Sequence, residues 1–349
     1  MALHGAQARA QRRRVRLQVG LLLLAACAPP AGPEPAIELR GSSMGTTYSI
    51  VLASLPKGLA ADTLHAEIRG ILEAANDQMS TYRASSELSR FNASSSTDWF
   101  RVSEGTRTVV AEALRISRLS GGAFDVTVGP VVDLWGFGAA GPSAVAPTRE
   151  RIDAALREIG YASLHVRSSP PAIRKERPEL RVDLSGIAKG FAVDRIARHL
   201  EGAGVRNFLV ELGGELRAHG SSPREDPWRV AIEKPSPQGT AIQQVIRLEN
   251  RALATSGDYR RYRVENGARY SHIIDPRTGS PISHALASVS VVDASAMRAD
   301  ALATALMVLG PAEGLRVAER DGLAVLFLVK RGERFAEVST PEFERYRLE

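Results

Sequence analysis

Residues 181–212 read RVDLSGIAKGFAVDRIARHLEGAGVRNFLVEL, and they place a strand, a helix and another strand in close succession. The first strand is predicted to end at Asp183. A helix is predicted near 185–201, because apolar residues recur there at the spacing that lines one side of a helix. These residues are Ile187, Phe191, Ile196 and Leu200. The apolar, β-branched run at 206–212 predicts the second strand.

The flanking sequence alternates helices and strands in the same irregular way. Helical periodicity predicts further helices at about 62–79, 109–116, 149–159 and 298–309, with Asp62 as the N-cap of the first. Strand-like runs occupy 46–52, 228–233, 243–248, 286–292 and 323–329. The stretch 167–179, which contains two adjacent prolines, is predicted to be a surface loop.

The spacing of these elements indicates the fold class. Strands and helices interleave without the regular βαβ spacing of a doubly wound parallel sheet. We therefore predict an α+β fold with mixed or antiparallel sheets and packed helices, arranged as one body or as two lobes.

The N-terminal segment has the pattern of a secretory signal. Five arginines and no acid precede a short apolar run that is too short to span a bilayer. The run ends in Leu24-Ala25-Ala26-Cys27, which resembles a bacterial lipobox, and Cys27 is the only cysteine of the chain. We predict a signal peptide over 1–26, lipidation of Cys27 and a Pro-rich tether to residue 36, which together imply an exported protein anchored on the periplasmic side of a bacterial membrane. An ordinary signal peptide with an incidental cysteine is the alternative.

The positive charge of the chain is mostly a property of that signal. The whole sequence carries a net charge of +6, and five of those charges lie in residues 1–26. The remainder is close to neutral, so the charge gives no reason to expect nucleic acid as a partner. Residues 37–349 are enough for a sizeable hydrophobic core.

The common nucleotide and zinc motifs do not occur in the sequence. There is no G-x-x-x-x-G-K-[ST] loop, no G-x-G-x-x-G after a strand, no H-E-x-x-H and no cysteine pair. Any nucleotide chemistry must therefore use a different scaffold.

A carboxylate and a hydroxyl lie four residues apart in the helix predicted at 298–309. Asp300 and Thr304 would share one face of that helix, while Leu302, Leu306 and Leu309 turn toward the core. One anionic and one neutral oxygen ligand suit Mg²⁺, which keeps positions open for water or phosphate oxygens. A solvated aspartate beside a threonine is the alternative.

The start of the helix near 185–201 is a candidate anion site. Gly186 allows the backbone to approach a ligand closely, and Lys189 adds a positive charge to that of the helix N-terminus. Such a site could hold a pyrophosphate. A capped helix with an exposed lysine is the alternative.

Two further segments could contribute to a site. His272, before the turn Asp275-Pro276-Arg277-Thr278-Gly279, is predicted to end a strand together with Ile274, and histidine is well suited to proton transfer. A structural histidine is the alternative. The glycine-rich and aromatic segment 121–138 could form a wall for a flat ring, or a loop with core aromatics.

In combination these segments resemble the ApbE-type family, the FAD:protein FMN transferases once labelled thiamine-biosynthesis lipoproteins. The resemblance covers roughly residues 40–310. The matching motifs are Gly41-Ser42-Ser43-Met44-Gly45-Thr46, Met79-Ser80-Thr81-Tyr82-Arg83, Ser86 to Asn92, Gly122 to Gly136, Asp183 to Gly190, Val210 to Glu215, Ala254 to Tyr259, Ser271 to Gly279 and Asp300 to Thr304.

The resemblance implies a role for particular residues. It implies Mg²⁺ ligation by Asp300, Thr304 and the backbone carbonyl of Gly186, where family members often have Ala or Ser. It implies His272 as the base. The residues that it implies around FAD, the substrate, are Met44, Tyr82, Ala123, Phe124, Asp125, Asp183, Lys189 and Ile274.

The implied reaction joins the FMN half of FAD to a Thr or Ser hydroxyl of an acceptor protein and releases AMP. The expected acceptor is a subunit of a membrane redox complex. Two alternatives remain open at this point: a Mg²⁺-dependent FAD pyrophosphatase that uses water in place of the hydroxyl, and a non-catalytic flavin-binding lipoprotein.

Overall fold

The structure, a computed structural model, describes residues 36–138, 141, 145–236, 241–259, 262–265 and 267–348. The predicted signal peptide 1–26, Cys27 and the tether as far as residue 35 lie outside the described residues.

The elements follow the predicted alternation closely. The helices are α1 (Ala61–Met79), α2 (Glu87–Ala93), α3 (Glu104–Leu119), α4 (Gly129–Leu134), α5 (Arg149–Glu158), α6 (Ala188–Gly202), α7 (Ala296–Arg320) and α8 (Pro341–Glu344). The strands are β1 (Ile37–Ser43), β2 (Thr46–Leu52), β3 (Phe100–Arg101), β4 (Leu164–Arg167), β5 (Ala172–Lys175), β6 (Phe208–Leu212), β7 (Glu215–His219), β8 (Trp228–Glu233), β9 (Ile242–Leu248), β10 (Ala252–Gly257), β11 (Tyr262–Glu265), β12 (Ala268–Ser271), β13 (Ile274–Asp275), β14 (Ser280–Pro281), β15 (Leu286–Asp293), β16 (Ala324–Arg331) and β17 (Arg334–Ser339).

An eight-stranded sheet forms the centre of the fold. Its strand order is β1-β2-β6-β7-β10-β15-β16-β17, and each pair of neighbours is antiparallel. Short hairpins, β8–β9, β11–β12 and β13–β14, and the small sheet β3-β5-β4 accompany it. The predicted α+β class with antiparallel sheets is therefore confirmed.

Both faces of the central sheet are covered. Helices α1 and α6 bury Leu64 and Ile196 against Ile50 of β2, while α3 and α7 cover the half that contains β10, β15 and β16. The β8–β9 hairpin lies on the opposite face, where Trp228 packs against Leu326. Strand β15 is consequently buried on both sides, and of its eight residues only the last, Asp293, is partly exposed.

Helix α7 is the longest helix among the described residues and runs beyond its predicted end. The backbone leaves the helical conformation at Gly310, where φ is 78°, and continues from Pro311. A positive φ favours glycine, and proline can begin a helical segment because it has no N–H to satisfy. The helix is long and apolar enough to cross a membrane, but most of its apolar stretch is buried, as in the core helix of a globular protein.

Three local predictions were wrong. Helix α6 begins at Ala188, because Leu184 to Ile187 form a turn rather than the first residues of the helix. Asp62 lies inside the first turn of α1, whose N-cap is Ala60. The stretch 167–179 is not simply a loop, since it includes strand β5.

The buried end of β5 explains why that strand is hard to recognise. Lys175 is fully buried. Its ammonium group donates to the carbonyl oxygens of Phe91, Pro178 and Leu180 at 3.4, 2.9 and 3.3 Å. Lysine is rarely fully buried, so the charges and prolines of this segment suggested an exposed loop.

Candidate active site

The N-terminal ends of α6 and α7 meet closely. A β-carbon on Gly190 would overlap the backbone of Ala296 and Met297, so only glycine allows this approach. The amide N–H of Gly190 donates to Asp300 Oδ2 at 3.0 Å. The two segments that the sequence singled out are therefore in direct contact.

Asp300 belongs to a buried group of charges. Lys189 Nζ lies 2.6 Å from Glu215 Oε2 and 4.0 Å from Asp300 Oδ1. The exposed fractions are only 5% for Asp300 and 3% for Glu215. Two buried carboxylates thus share one ammonium group, so both would be ionised together only with further positive charge beside them, such as a bound cation.

The pKa values of these groups follow from their burial and charge. Burial opposes the charged form of Lys189, but the carboxylates of Asp300 and Glu215 outweigh it and raise the pKa of the ammonium group. Burial also raises the pKa of Asp300 and Glu215, with Lys189 opposing the rise in both. The lysine therefore stays protonated and stabilises negative charge next to it.

Thr304 and Gly186 lie next to each other. A β-carbon placed on Gly186 would lie 3.5 Å from Thr304 Oγ1 and 3.2 Å from the ring of Phe124. Gly186, in the turn before α6, therefore lies between the half-buried Thr304 on α7 and Phe124 of the glycine-rich segment. Asp300 stands one helical turn before Thr304 on the same face of α7.

The oxygens at this junction suit a hard cation. Within the residues that the structure describes, no three His, Cys, Asp or Glu side chains converge as a metal-binding set. A cation here would instead combine the carboxylate of Asp300 with hydroxyl and carbonyl oxygens. That mixture fits Mg²⁺, which accepts few protein ligands, better than a metal that requires several imidazole or thiolate ligands.

The predicted role of the helix N-terminus needs correction. The amides of Ile187 and Ala188 donate to Leu184 O at 3.1 and 2.9 Å, and the amide of Gly190 donates to Asp300. These three N–H groups are already satisfied within the protein, so they are not available to an anion. Lys189 carries a full positive charge at this end of the helix and is the stronger candidate to face a phosphate.

The segment that contains Ala123, Phe124 and Asp125 is buried and internally bonded. Asp125 Oδ1 accepts from the amide and the hydroxyl of Thr127 at 2.7 Å each, and Oδ2 accepts from the amide of Tyr161 at 3.0 Å. Burial raises the pKa of Asp125, while the bonds from Thr127 and Tyr161 oppose that rise. Asp125 therefore shapes the loop that presents Phe124 to Gly186.

A backbone hydrogen bond joins this segment to the turn before α6. The amide of Asp183 donates to Val126 O at 2.7 Å. The side chain of Asp183 accepts from the amide of Ser185 at 2.8 Å, which closes the turn toward Gly186. The segments 121–138 and 181–190, which the sequence singled out separately, are thus adjacent in the structure.

His272 lies beside the aromatic part of the same segment. It is half-buried between β12 and β13, rather than at the end of a strand with Ile274 as predicted. Its ring centroid is 6.4 Å from that of Phe137, with the planes at 71°. Trp135 Nε1 donates to Gly279 O at 2.8 Å and holds the following turn in place. Ile274 is buried in the cluster that contains Trp135 and Phe137.

Met44 lies in the β1–β2 turn, and Tyr82 lies between α1 and α2. Met44 has a φ of 51° in the β1–β2 turn, and its side chain packs against the core. An open cavity of about 530 Å³ is lined by residues 42, 43 and 45–47 of this hairpin. Thr46 lies against the Gly213 turn, two residues before Glu215. Tyr82 is 70% exposed.

Two important carboxylates were not identified as site residues from the sequence. Glu215 lies in the motif Val210 to Glu215, but nothing in that motif indicates Lys189 as its partner. Asp194 is buried in α6 and accepts hydrogen bonds from the start of α7. Both contacts join residues far apart in the sequence, so only the topology reveals them.

Comparison with known proteins agrees with this arrangement. The family model described as ApbE family matches residues 44–327. A protein named FAD:protein FMN transferase from Vibrio cholerae is 48% identical over 326 residues, which cover 93% of this chain and 96% of that protein.

Solved structures give the same result. The flavin transferase ApbE from Vibrio cholerae is 47% identical, has a TM-score of 0.83 and matches over 89% of this chain and 100% of its own. The flavinyl transferase ApbE of Pseudomonas stutzeri, in its apo form, is 40% identical and has a TM-score of 0.82. The match covers 89% of this chain and 96% of that one. The resemblance inferred from the motifs is therefore confirmed, and the chain belongs to the ApbE family.

Proposed function

We propose that this chain is an FAD:protein FMN transferase, the name given to the Vibrio cholerae relative. The observation that carries the proposal is the convergence of Asp300, Lys189 and Glu215 with Thr304 and Gly186. This junction places a buried ammonium group beside oxygens suited to Mg²⁺, as transfer of a phosphoryl group requires.

The cation would be held by the carboxylate of Asp300, the hydroxyl of Thr304 and the backbone carbonyl of Gly186. When bound, Mg²⁺ would offset the negative charge of the diphosphate during transfer. The assignment is supported by the two buried carboxylates that share the single ammonium group of Lys189, because a cation beside them would favour their ionised forms.

FAD would lie along the surface formed by the glycine-rich segment, the turn before α6 and the β1–β2 hairpin. Phe124 and Asp183 lie on this surface, and Asp125 would hold the segment in shape. Lys189 would face the diphosphate with its raised pKa, so it remains cationic. The residues proposed to line the remainder of the site are Met44, Tyr82, Ala123 and Ile274.

In the proposed reaction, a Thr or Ser hydroxyl of the acceptor attacks the phosphorus on the FMN side. A new phosphoester bond forms to the hydroxyl oxygen, and the bond to the bridging oxygen breaks so that AMP leaves. His272 would accept the hydroxyl proton. Lys189 would stabilise the charge on the phosphate oxygens.

Mass spectrometry distinguishes the proposed transfer from its alternatives. The protein would be incubated with FAD, Mg²⁺ and a protein substrate of the Vibrio cholerae FAD:protein FMN transferase, with that relative as the positive control. We expect the acceptor to gain the mass of one FMN group, with AMP released in equal amount. Release of FMN and AMP without a mass gain would instead indicate a pyrophosphatase, and absence of AMP would indicate a flavin-binding protein.

The cellular location is part of the proposal. A lipid on Cys27 would anchor the enzyme on the periplasmic side of the membrane, where a subunit of a membrane redox complex would be its acceptor. We expect Cys27→Ser to move the protein from the membrane fraction to the soluble fraction after cell lysis. Retention of that variant in the membrane fraction would contradict the anchor.

A further inference from the structure

Two carboxylates, one on each helix, hold α6 and α7 together reciprocally. Asp300 of α7 accepts the amide N–H of Gly190 on α6. Asp194, four residues after Gly190, accepts the amides of Ala296 and Met297 on α7 at 3.0 and 3.1 Å. Each helix thus supplies a carboxylate to amides at the start of the other.

Asp194 makes two further bonds that fix its position. Its Oδ2 accepts from the hydroxyl of Ser295 at 2.6 Å, and its Oδ1 lies 2.8 Å from Arg217 Nη1. The Ser295 oxygen in turn accepts from the amide of Arg298 at 3.2 Å, so it caps α7 while it contacts Asp194. Only 6% of the surface of Asp194 is exposed, so its carboxylate interacts mainly with protein groups rather than with water.

These bonds define the register of α7 against α6. A shift of α7 by one residue would translate it by about 1.5 Å and rotate it by about 100°. Either movement would carry Asp300 and Thr304 away from Gly186. Mg²⁺ tolerates little deviation in ligand distance, so loss of this register would weaken its binding.

We propose that Asp194 is a positioning residue that holds Asp300 and Thr304 in the geometry required to bind the cation. This inference rests on the metal site of the proposed function. Asp194 itself is not a ligand, because both of its oxygens are engaged by donors from Ser295, Arg217 and the backbone of α7.

Binding of Mn²⁺, followed by electron paramagnetic resonance, tests the role without an activity assay. We expect Asp194→Asn to weaken Mn²⁺ binding by about tenfold or more, the usual effect of removing a residue that orients ligands. Asparagine has one acceptor oxygen in place of two, so it cannot satisfy the same donors.

Glu87→Gln provides a matched control. Glu87 caps α3 from α2 in the same manner, accepting the hydroxyls of Ser103 and Thr106 at 2.8 and 2.6 Å. Its loss should lower the melting temperature and leave the Mn²⁺ dissociation constant unchanged. A lower melting temperature is therefore expected in both variants. A raised Mn²⁺ dissociation constant is expected only in Asp194→Asn.

The outcomes separate this inference from the proposed metal site. If the wild type binds Mn²⁺, Asp300→Ala does not, and Asp194→Asn binds it within about twofold of the wild type, the positioning role is overturned. If the wild type fails to bind Mn²⁺ in the presence of FAD, the metal site and the positioning role fall together. If Asp194→Asn does not fold, Ser295→Ala, which removes one donor to Asp194, is measured in its place. Mn²⁺ binding weakened severalfold in that variant supports the proposal, and unchanged Mn²⁺ binding overturns it.

Discussion

Asp300→Ala is expected to slow transfer of FMN to the acceptor by about three orders of magnitude, since a bound metal supplies several kcal/mol of charge stabilisation. The variant removes the anionic ligand proposed for the cation and leaves the ion pair of Lys189 with Glu215 in place. We also expect the remaining activity to lose its dependence on Mg²⁺. The measurement is the rate of mass gain of the acceptor across a series of Mg²⁺ concentrations.

Asp321→Asn is a suitable control for this prediction. Asp321 lies at the far end of α7 and pairs with the neighbouring Arg320 at 2.5 Å, away from the junction with α6. It should retain the wild-type rate and the wild-type Mg²⁺ dependence. An Asp300→Ala enzyme that transfers FMN at full rate would remove Asp300 from the metal site.

His272→Ala is expected to have an effect of comparable size. Loss of a general base slows a reaction by about 10²–10⁴-fold, so transfer should slow by that amount. Binding of FAD should change little, because the diphosphate contacts are assigned to Lys189 and the cation, whereas His272 is assigned only to the proton of the acceptor hydroxyl. The transfer rate and the FAD affinity, the latter from flavin fluorescence, are measured on the same preparation.

Addition of imidazole sharpens this test. If His272 removes the hydroxyl proton, free imidazole should restore part of the lost rate in the alanine variant. His199→Ala serves as the control, because His199 pairs with Glu67 at 2.9 Å on the surface of α1 and α6. An unchanged rate in His272→Ala would eliminate the assignment as base.

Much of the fold was predictable from local sequence patterns. The bounds of β2 and β8 agree with the apolar runs, since both strands alternate between a buried and a more exposed face. The start of α6 was predicted three residues too early, because Ile187 and Ala188 bond to Leu184 O in a turn that precedes the helix. The spacing of apolar residues does not distinguish such a turn from the first turn of an α-helix.

The site was predictable only where its residues are close in sequence. Asp300 and Thr304 could be paired because residues four apart share a helix face. The contact of Glu215 with Lys189 and that of Asp194 with Ser295 depend on the order of strands and the packing of helices, which local patterns do not specify. Lys175 was mispredicted for a related reason. Its charge suggested an exposed position, but its ammonium group is buried and bonds to backbone carbonyls that the local sequence does not reveal.

The metal site is tested most directly by anomalous diffraction from crystals grown with FAD and Mn²⁺ in place of Mg²⁺. We predict one strong peak at the junction of α6 and α7, at about 2.1 Å from an oxygen of Asp300, from Thr304 Oγ1 and from Gly186 O. A peak elsewhere in the molecule, or a bound flavin with no metal peak between these helices, would contradict the account.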